Sequence, residues 1–346
     1  MTSASTTLPQ GSRQKRLLWA RYLAGFYGAT LITLMLVRYG LGDRWSWSFA
    51  INSLLVHAFW PAPVIVISGL ISRDRLVLGT AGLSAILFAA HWGTLFVPTR
   101  ASSTPGQTIR VMTYNALGYN LDTAGTVRVA LEQNADIVAL QELAPEHAEA
   151  LEKTFGEKYR YRLMDARPGV TGCGILSRYP LRKIDLAPLD TLPWIGTPMA
   201  VEIDISGETL RFVNFHTYAG PAHTQMREKQ ARALAEFATA HPGALIMAGD
   251  LNATDQNAAY ATITDVLQDT WRKVGFGFGH TFPGKPTPDI GGSRPVILGI
   301  PVPTWLVRID YLFYSDALIA VDAGLGAGDA GSDHRAVIGT FVFKSL

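Results

Sequence analysis

The sequence predicts a mixed α/β domain, with helices covering sheet, carried behind three transmembrane helices. Three observations predict it. Long uncharged apolar runs crowd the first hundred residues, and short β-rich runs alternate with helical patterns from residue 108 onward. A short polar linker beginning Ala101-Ser-Ser-Thr-Pro-Gly106 separates the two. The expected division is a membrane part over 1–100, a linker over 101–107 and a second domain over 108–346.

The membrane part accounts for the composition. Hydrophobic residues make up 48% of the 346 and charged ones only 17%, and the apolar excess lies at the front. Helix one is placed at about 17–38, where Arg21 can snorkel to the interface and the span reaches the roughly 20 residues a bilayer requires. Helix two is placed at 46–71, within a run free of Asp, Glu, Lys and Arg, although Pro61 and Pro63 can kink it or end it early. Helix three is placed at 76–98. Trp45, Trp47, Trp60 and Trp92 suit interfacial positions, and Asn52, His57 and His91 suit packing or interface roles. A buried core helix is the alternative for any one run, but three in succession argue for membrane crossing. The first run is too long for a cleavable signal peptide, and further spans follow it.

Orientation follows from short-flank charges. Arg13, Lys15, Arg16 and Arg21 form the N-terminal flank of the first span, and Arg73 and Arg75 occupy the second turn on the same side. Only Arg38 and Arg44 lie on the other side. The N-terminus is therefore expected in the cytoplasm, and three crossings place residues 104–346 outside a cytoplasmic (inner) membrane.

The body carries a different charge. Residues 1–103 hold nine Lys or Arg and two acids, so the formal +2 divides into +7 for the front and −5 for the rest. A net-acidic body argues against nonspecific nucleic-acid binding, which depends on neutralising phosphates. The single cysteine, Cys173, excludes an intrachain disulfide and a cysteine-based zinc site.

Strands are expected at 108–114, 136–140, 172–177, 199–205, 209–215, 244–249, 308–314, 318–322 and 336–343. Helices are expected at 123–133, 145–154 and 222–240, the first capped by Asp122 or Thr123. Strand, helix, strand order over 210–248 gives the α/β class. A long connection, 283–305, holds six prolines and the apolar tract Val296–Ile300, and a second apolar loop spans Leu192–Gly196. Loops this long in a compact domain are usually functional or disordered.

Polar residues cluster at the strand ends, which is where α/β folds display a site. They are Asn115, Glu142, His216, Asp250, Asn252, Asp310, Asp333 and His334. Glu142 and Asp333 are hard oxygen ligands, and Asn115 can offer a carbonyl oxygen; together they suit Mg²⁺ or Mn²⁺. His334 can contact a phosphoryl group or accept a proton, with Asp310 fixing its tautomer. Asp250 can orient and deprotonate a water, Asn252 can donate to a phosphate, and His216 can protonate a leaving group. Singly, each residue fits an ordinary turn or surface pair. Their order along one chain carries the argument.

That order resembles the endonuclease/exonuclease/phosphatase superfamily, with its DNase I-like fold. The matching stretches are Met112-Thr-Tyr-Asn115, Asp136-Ile-Val-Ala-Leu-Gln-Glu142, Gly174-Ile-Leu-Ser-Arg-Tyr-Pro180, Asn214-Phe-His216, Gly249-Asp-Leu-Asn252, Arg308-Ile-Asp-Tyr311 and Ser332-Asp-His334. The resemblance covers residues from about 108 to 343 and leaves out the membrane helices. It implies a four-layer sandwich, two packed mixed β-sheets flanked by helices. It also implies metal ligation by Asn115, Glu142 and Asp333, and catalysis by His216, Asp250, Asn252, Asp310 and His334. His216 matches the branch with histidine there, and Arg178 is expected to be structural. Leu117 stands where abasic-site enzymes of the family carry an aspartate, which weakens a second metal position.

The expected function is divalent-metal-dependent phosphoester hydrolysis. The expected substrate is a membrane lipid or lipid-linked phosphate. The alternative is a membrane-tethered DNase-like nuclease acting on nucleic acid. A catalytically dead scaffold fits poorly with so complete a residue set.

Overall fold

The computed structural model describes residues 10–98, 106–155, 157–284, 296–297, 299–328 and 330–344. The front of the chain is helical: α1 (Gln10–Leu36), extended by a π-helical turn (Val37–Leu41), α2 (Ser46–Ser53), a 3₁₀ turn (Leu55–Phe59), α3 (Ala62–Ser72), α4 (Arg75–Trp92) and a final 3₁₀ turn (Gly93–Phe96). Gln14–Leu41, Leu55–Ser72 and Arg75–Phe96 are long and apolar enough to cross a membrane. Their outward faces expose Trp19, Phe26, Ile67, Ile71 and Ile86. Asp74 caps α4 by accepting from the backbone N–H of Leu76 and Val77, and it pairs with Arg21 at 2.7 Å, tying α1 to the α3–α4 turn.

The second apolar run does not form one helix over 46–71. It breaks between Ser53 and Ala62. Pro61 and Pro63 remove backbone donors there, and α2 turns away to bury Ser48, Phe49 and Asn52. Phe49 packs in a cluster with Val213, Phe215, Ala231 and Leu234 of the second domain. Burying a phenylalanine in this way contributes about 2 kcal/mol.

The second domain comprises β1 (Thr108–Asn115), α5 (Thr123–Glu132), β2 (Ile137–Gln141), α6 (Pro145–Phe155), β3 (Tyr161–Asp165), β4 (Cys173–Ser177), β5 (Leu181–Lys183), β6 (Gly196–Ile205), β7 (Glu208–His216), α7 (Thr224–Ala240), β8 (Leu245–Asp250), α8 (Ala258–Thr264), β9 (Gln268–Asp269), α9 (Thr270–Val274), the hairpin β10–β11 (Val296–Ile297, Ile300–Pro301), β12 (Asp310–Tyr314), β13 (Leu318–Leu325) and β14 (Val337–Phe343). One sheet runs β13-β14-β1-β2-β4-β3 and the other β5-β6-β7-β8-β12-β9. β1–β2 and β7–β8 are parallel pairs and the others antiparallel, so both sheets are mixed.

The sheets pack face to face over a core that includes Val111, Ile137, Ile175, Val201, Phe212, Ile246, Leu312 and Phe341. Helices α5 and α6 cover the first sheet through Val127, Val129, Leu151 and Phe155. Helices α7 and α8 cover the second through Leu234, Phe237 and Ile263. This is the expected four-layer sandwich, and each strand and helix expected from residue 108 onward is present. Asp122 is the cap of α5, accepting from the backbone N–H of Gly125 at 2.7 Å.

Candidate active site

Strand register assembles the site. β1 and β2 pair Asn115 with Gln141, which sets Asn115 beside Glu142 on the next residue. In the other sheet β7 pairs His216 with Asp250, and β12 pairs Asp310 with Asp250, giving three neighbours in a row. Gly249 permits that row. A Cβ there would lie 2.0 Å from the carbonyl oxygen of Phe215. Packing the two sheets then brings both groups to one rim.

All eight expected residues converge there. Asn115 Nδ2 donates to Glu142 Oε1 at 3.0 Å and to Asp250 Oδ2 at 3.2 Å, bridging the two sheets. His216 Nε2 lies 3.5 Å from Asp250 Oδ2 and 4.0 Å from Glu142 Oε1. His334 Nδ1 sits 2.9 Å from Asp310 Oδ2, while its Nε2 lies 3.8 Å from Asp250 Oδ2 and 3.9 Å from Asp333 Oδ1. Asn252 donates its backbone N–H to Asp250 Oδ1 at 2.7 Å and its amide to the carbonyl of Thr217 at 3.0 Å.

One expectation is corrected in detail. Asn115 was expected to turn its carbonyl oxygen toward a metal, but Oδ1 accepts the backbone N–H of Leu117 at 3.0 Å. Only an oxygen can accept there, so the amide nitrogen faces the carboxylates. Leu117, Glu142 and Asn252 all adopt positive φ, at 57°, 53° and 50°. Such conformations are costly for these residue types and cluster at functional sites.

Burial governs the electrostatics. Glu142 is raised above its ordinary carboxylate value by burial, against the hydrogen bonds from Asn115 and Gly118. Asp250 is raised further, by burial and then by the neighbouring charge of Asp310. His216 is lowered to about 3, by burial and then by repulsion from His334, so it is neutral at physiological pH. Burial also opposes the charged form of His334, but Asp310, Asp333 and Asp250 outweigh it and hold the ring protonated.

Four acidic side chains thus surround one charged imidazole. Asp333 Oδ1 is buried without a hydrogen-bond partner among the described residues. Buried, unpaired anionic oxygens require a cation, and an all-oxygen set fits a hard divalent ion. Asp250, Asp310 and His334 also present ligand atoms within 4.8 Å of one another. Both oxygens of Asp310 already engage His334 Nδ1, so this trio is an Asp–His pair beside a base; Glu142 accepts one hydrogen bond at each oxygen, from Asn115 and Gly118, and Asp333 Oδ1 accepts none among the described residues.

Sequence reasoning missed several supports. Ser332 Oγ donates to the carbonyl of Asn115 at 2.7 Å and accepts the backbone N–H of His334 at 3.0 Å, tying the loop before β14 to the end of β1 within the first sheet. Its place in Ser332-Asp-His334 was the available signal. Thr281 Oγ1 accepts from the backbone N–H of Ile309 and Asp310, and the Phe282 ring centroid lies 5.0 Å from that of His334. Nothing local in the sequence marks either. Arg178 is structural as expected, pairing with Asp136 at 2.9 Å.

Two packed mixed sheets with carboxylates, imidazoles and amides gathered at one rim define a metal-dependent hydrolase of phosphoester bonds on a DNase I-like fold. The chain belongs to the Endonuclease/Exonuclease/phosphatase family, whose profile matches residues 112–334. Solved structures agree in fold. TDP2 from D. rerio, complexed with single strand DNA product, is 20% identical with a TM-score of 0.53, over 68% of this chain and 99% of that one. Caenorhabditis elegans TDP2 gives 19% and 0.55, over 81% and 88%. An endonuclease/exonuclease/phosphatase family protein from Bacteroides thetaiotaomicron gives 16% and 0.53, over 70% and 97%. No curated protein matches by sequence.

Proposed function

We propose that this protein hydrolyses a phosphoester bond of a lipid or lipid-linked substrate at the outer face of the cytoplasmic membrane. Exposed apolar side chains on segments that start beside the site are the observation that carries this reading. Gly284 donates its backbone N–H to the carbonyl of Asp333 at 2.6 Å, and the Trp305 ring lies 4.0 Å from the guanidinium of Arg335. The connection between these anchors carries Val296 and Ile300, which are 61% and 70% exposed. Tyr119 and Leu121, just beyond Asn115, are exposed as well. Exposed apolar side chains on segments joined to a polar site suit a substrate with a hydrocarbon part. The three membrane-length helices support anchoring, and the six-to-two distribution of flanking Lys and Arg supports an external catalytic domain.

In the mechanism, Glu142 and Asp333, with Asn115 orienting Glu142, would hold Mg²⁺ or Mn²⁺. That ion would neutralise a phosphate oxygen and the departing alkoxide. Asp250 orients the attacking water and takes its proton. Asn252 donates the second hydrogen of its amide to the phosphate. Asp310 holds the ring of His334 by Nδ1, so that Nε2 faces the phosphoryl group. His216, neutral and buried, offers a ring N–H as a hydrogen bond to the leaving oxygen and steadies the charge that develops there.

A second reading, a membrane-tethered nuclease, is favoured by the TDP2 structure with a DNA product. The −5 formal charge of residues 104–346 argues against it. The test uses the full chain in detergent with Mg²⁺ or Mn²⁺. It is assayed on vesicles containing sphingomyelin, phosphoinositide or polyprenyl pyrophosphate, and on plasmid DNA. Turnover of a lipid, abolished by Asp250→Asn, is expected. Plasmid nicking without lipid turnover would establish the nuclease instead.

A further inference from the structure

The segment between the first two membrane-length helices grips the active-site loop. Asp43, in that segment, is only 3% exposed. Its Oδ1 accepts from Asn52 Nδ2 at 2.7 Å and Asn257 Nδ2 at 3.2 Å, and its Oδ2 accepts the backbone N–H of Ala258 at 2.6 Å. Asn257 Oδ1 in turn accepts from Thr254 N and Oγ1, each at 2.8 Å, and from Ser53 Oγ at 3.0 Å. Asn257 Nδ2 also donates to the carbonyl of Phe49 at 3.3 Å.

These bonds close the loop that begins at Asp250 and carries Asn252. Other groups from the front of the chain hold the same loop. Arg38 donates to the carbonyl of Gln256. Arg272 joins the carboxylate of Asp255 at 2.5 Å to the carbonyl of His91 at 3.1 Å. The loop therefore takes outward bonds from Arg38, Asp43 and Ser53, and through Arg272 from His91.

A buried carboxylate costs free energy unless its lone pairs are met, and merely joining two surfaces needs no charge. Asn252 stands at φ 50°, a conformation that persists only where the surroundings impose it. Its backbone N–H fixes Asp250 Oδ1 at 2.7 Å, so the loop conformation sets the aim of the base.

We propose that Asp43 is a positioning residue that, through Asn257, holds the 250–257 loop so that Asp250 and Asn252 meet the reacting phosphate. The proposal rests on the hydrolytic reading above. It makes the front of the chain a working part of the active site as well as an anchor.

The test compares Asp43→Asn and Ser53→Ala with wild type as full chains in detergent micelles. The probe is bis(p-nitrophenyl) phosphate with Mn²⁺, and amide hydrogen exchange is followed over 251–257. Asp43→Asn turns an amide N–H toward existing donors. It is expected to lower kcat by about tenfold to a hundredfold with KM little changed, the scale of loss that small misplacements cause. Exchange over 251–257 is expected to quicken while the β-sheets stay protected. Ser53→Ala removes one neutral bond and is expected to give a smaller change of the same kind.

Wild-type kcat per folded molecule in both variants, or unchanged exchange over 251–257, would overturn the proposal. Should Asp43→Asn fail to fold, Ser53→Ala decides. If the wild-type chain leaves the probe intact, hydrolysis of that ester has failed, and the exchange measurement alone still judges the positioning role.

Discussion

At the scale of single residues, the site is a buried cluster of acidic groups and imidazoles, and its pH behaviour follows from the direction of its shifts. Glu142 and Asp250 have carboxyls raised by burial. A carboxyl raised in the folded state contributes stability that is fully present below its unfolded value of about 4 and is lost as pH rises through the folded value. His334, raised by its carboxylate neighbours, likewise gives up stability as pH rises. His216, lowered to about 3, acts in the opposite sense only in acid. The metal-free protein is therefore expected to lose thermal stability from mildly acidic toward alkaline pH, and Mg²⁺ to reduce the loss most at the alkaline end. Melting curves with EDTA and with Mg²⁺ across pH would show it; parallel curves would refute it. Asp250→Asn is expected to lower kcat by about a hundredfold or more, the usual weight of a positioned base, with folding retained. A circular dichroism spectrum and a progress curve suffice to check this. The eight site residues were legible because chemistry at phosphorus demands specific side chains, and those side chains stand at strand ends. Ser332 and Thr281 were not, because a hydroxyl that braces backbone looks like any other hydroxyl in a sequence.

At the scale of elements, long alternating strands announced themselves and short ones did not. β1, β6, β7 and β14 have seven to ten residues with an apolar pattern, and one sheet buries them against the other. β5 has three residues, β9 has two and α9 has five, too few for any period to show. β3 is half-exposed at a sheet edge, which blurs its alternation. The second apolar run was misjudged in extent because hydropathy alone cannot tell a lipid-facing helix from one, like α2, that buries its apolar face against a protein domain. Phe49→Ala is expected to destabilise the chain by about 3 kcal/mol or more through the cavity left in the cluster beneath α7. Chemical denaturation would measure it, and a change below about 1 kcal/mol would show that α2 is not seated as described. For the hairpin, Val296→Ser with Ile300→Ser is expected to lower turnover of a vesicle-borne lipid several-fold while sparing a soluble ester. Equal loss on both would mean that the hairpin serves the fold instead of the substrate.

At the scale of the whole molecule, the front and the catalytic sandwich share structure. Trp271 of α9 packs with Trp92 and Leu95, Phe278 stacks edge-on against Phe88 and Phe96, and His57 Nε2 contacts the carbonyl of Leu306 at 3.0 Å. A chain shortened to residues 106–346 would expose these surfaces. It is expected to aggregate, or to melt well below the full-length protein in detergent; equal melting temperatures would refute that. Composition marks a change of character along the chain, whereas the contact between the two parts was not readable, because it is made by residues such as Asp43 and Asn257, or Trp92 and Trp271, that are far apart in sequence and ordinary in isolation.

This joint has a geometric corollary. With the loop bearing Asp250 bolted to the ends of the helices, anchoring as proposed above would set the reacting point at a fixed elevation above the bilayer plane, unable to rise or sink to meet its target. Substrates would then be sorted by how far their phosphorus projects from the hydrocarbon. A series of lipids with head-group spacers of graded length should show a sharp optimum, and a freely diffusing ester none.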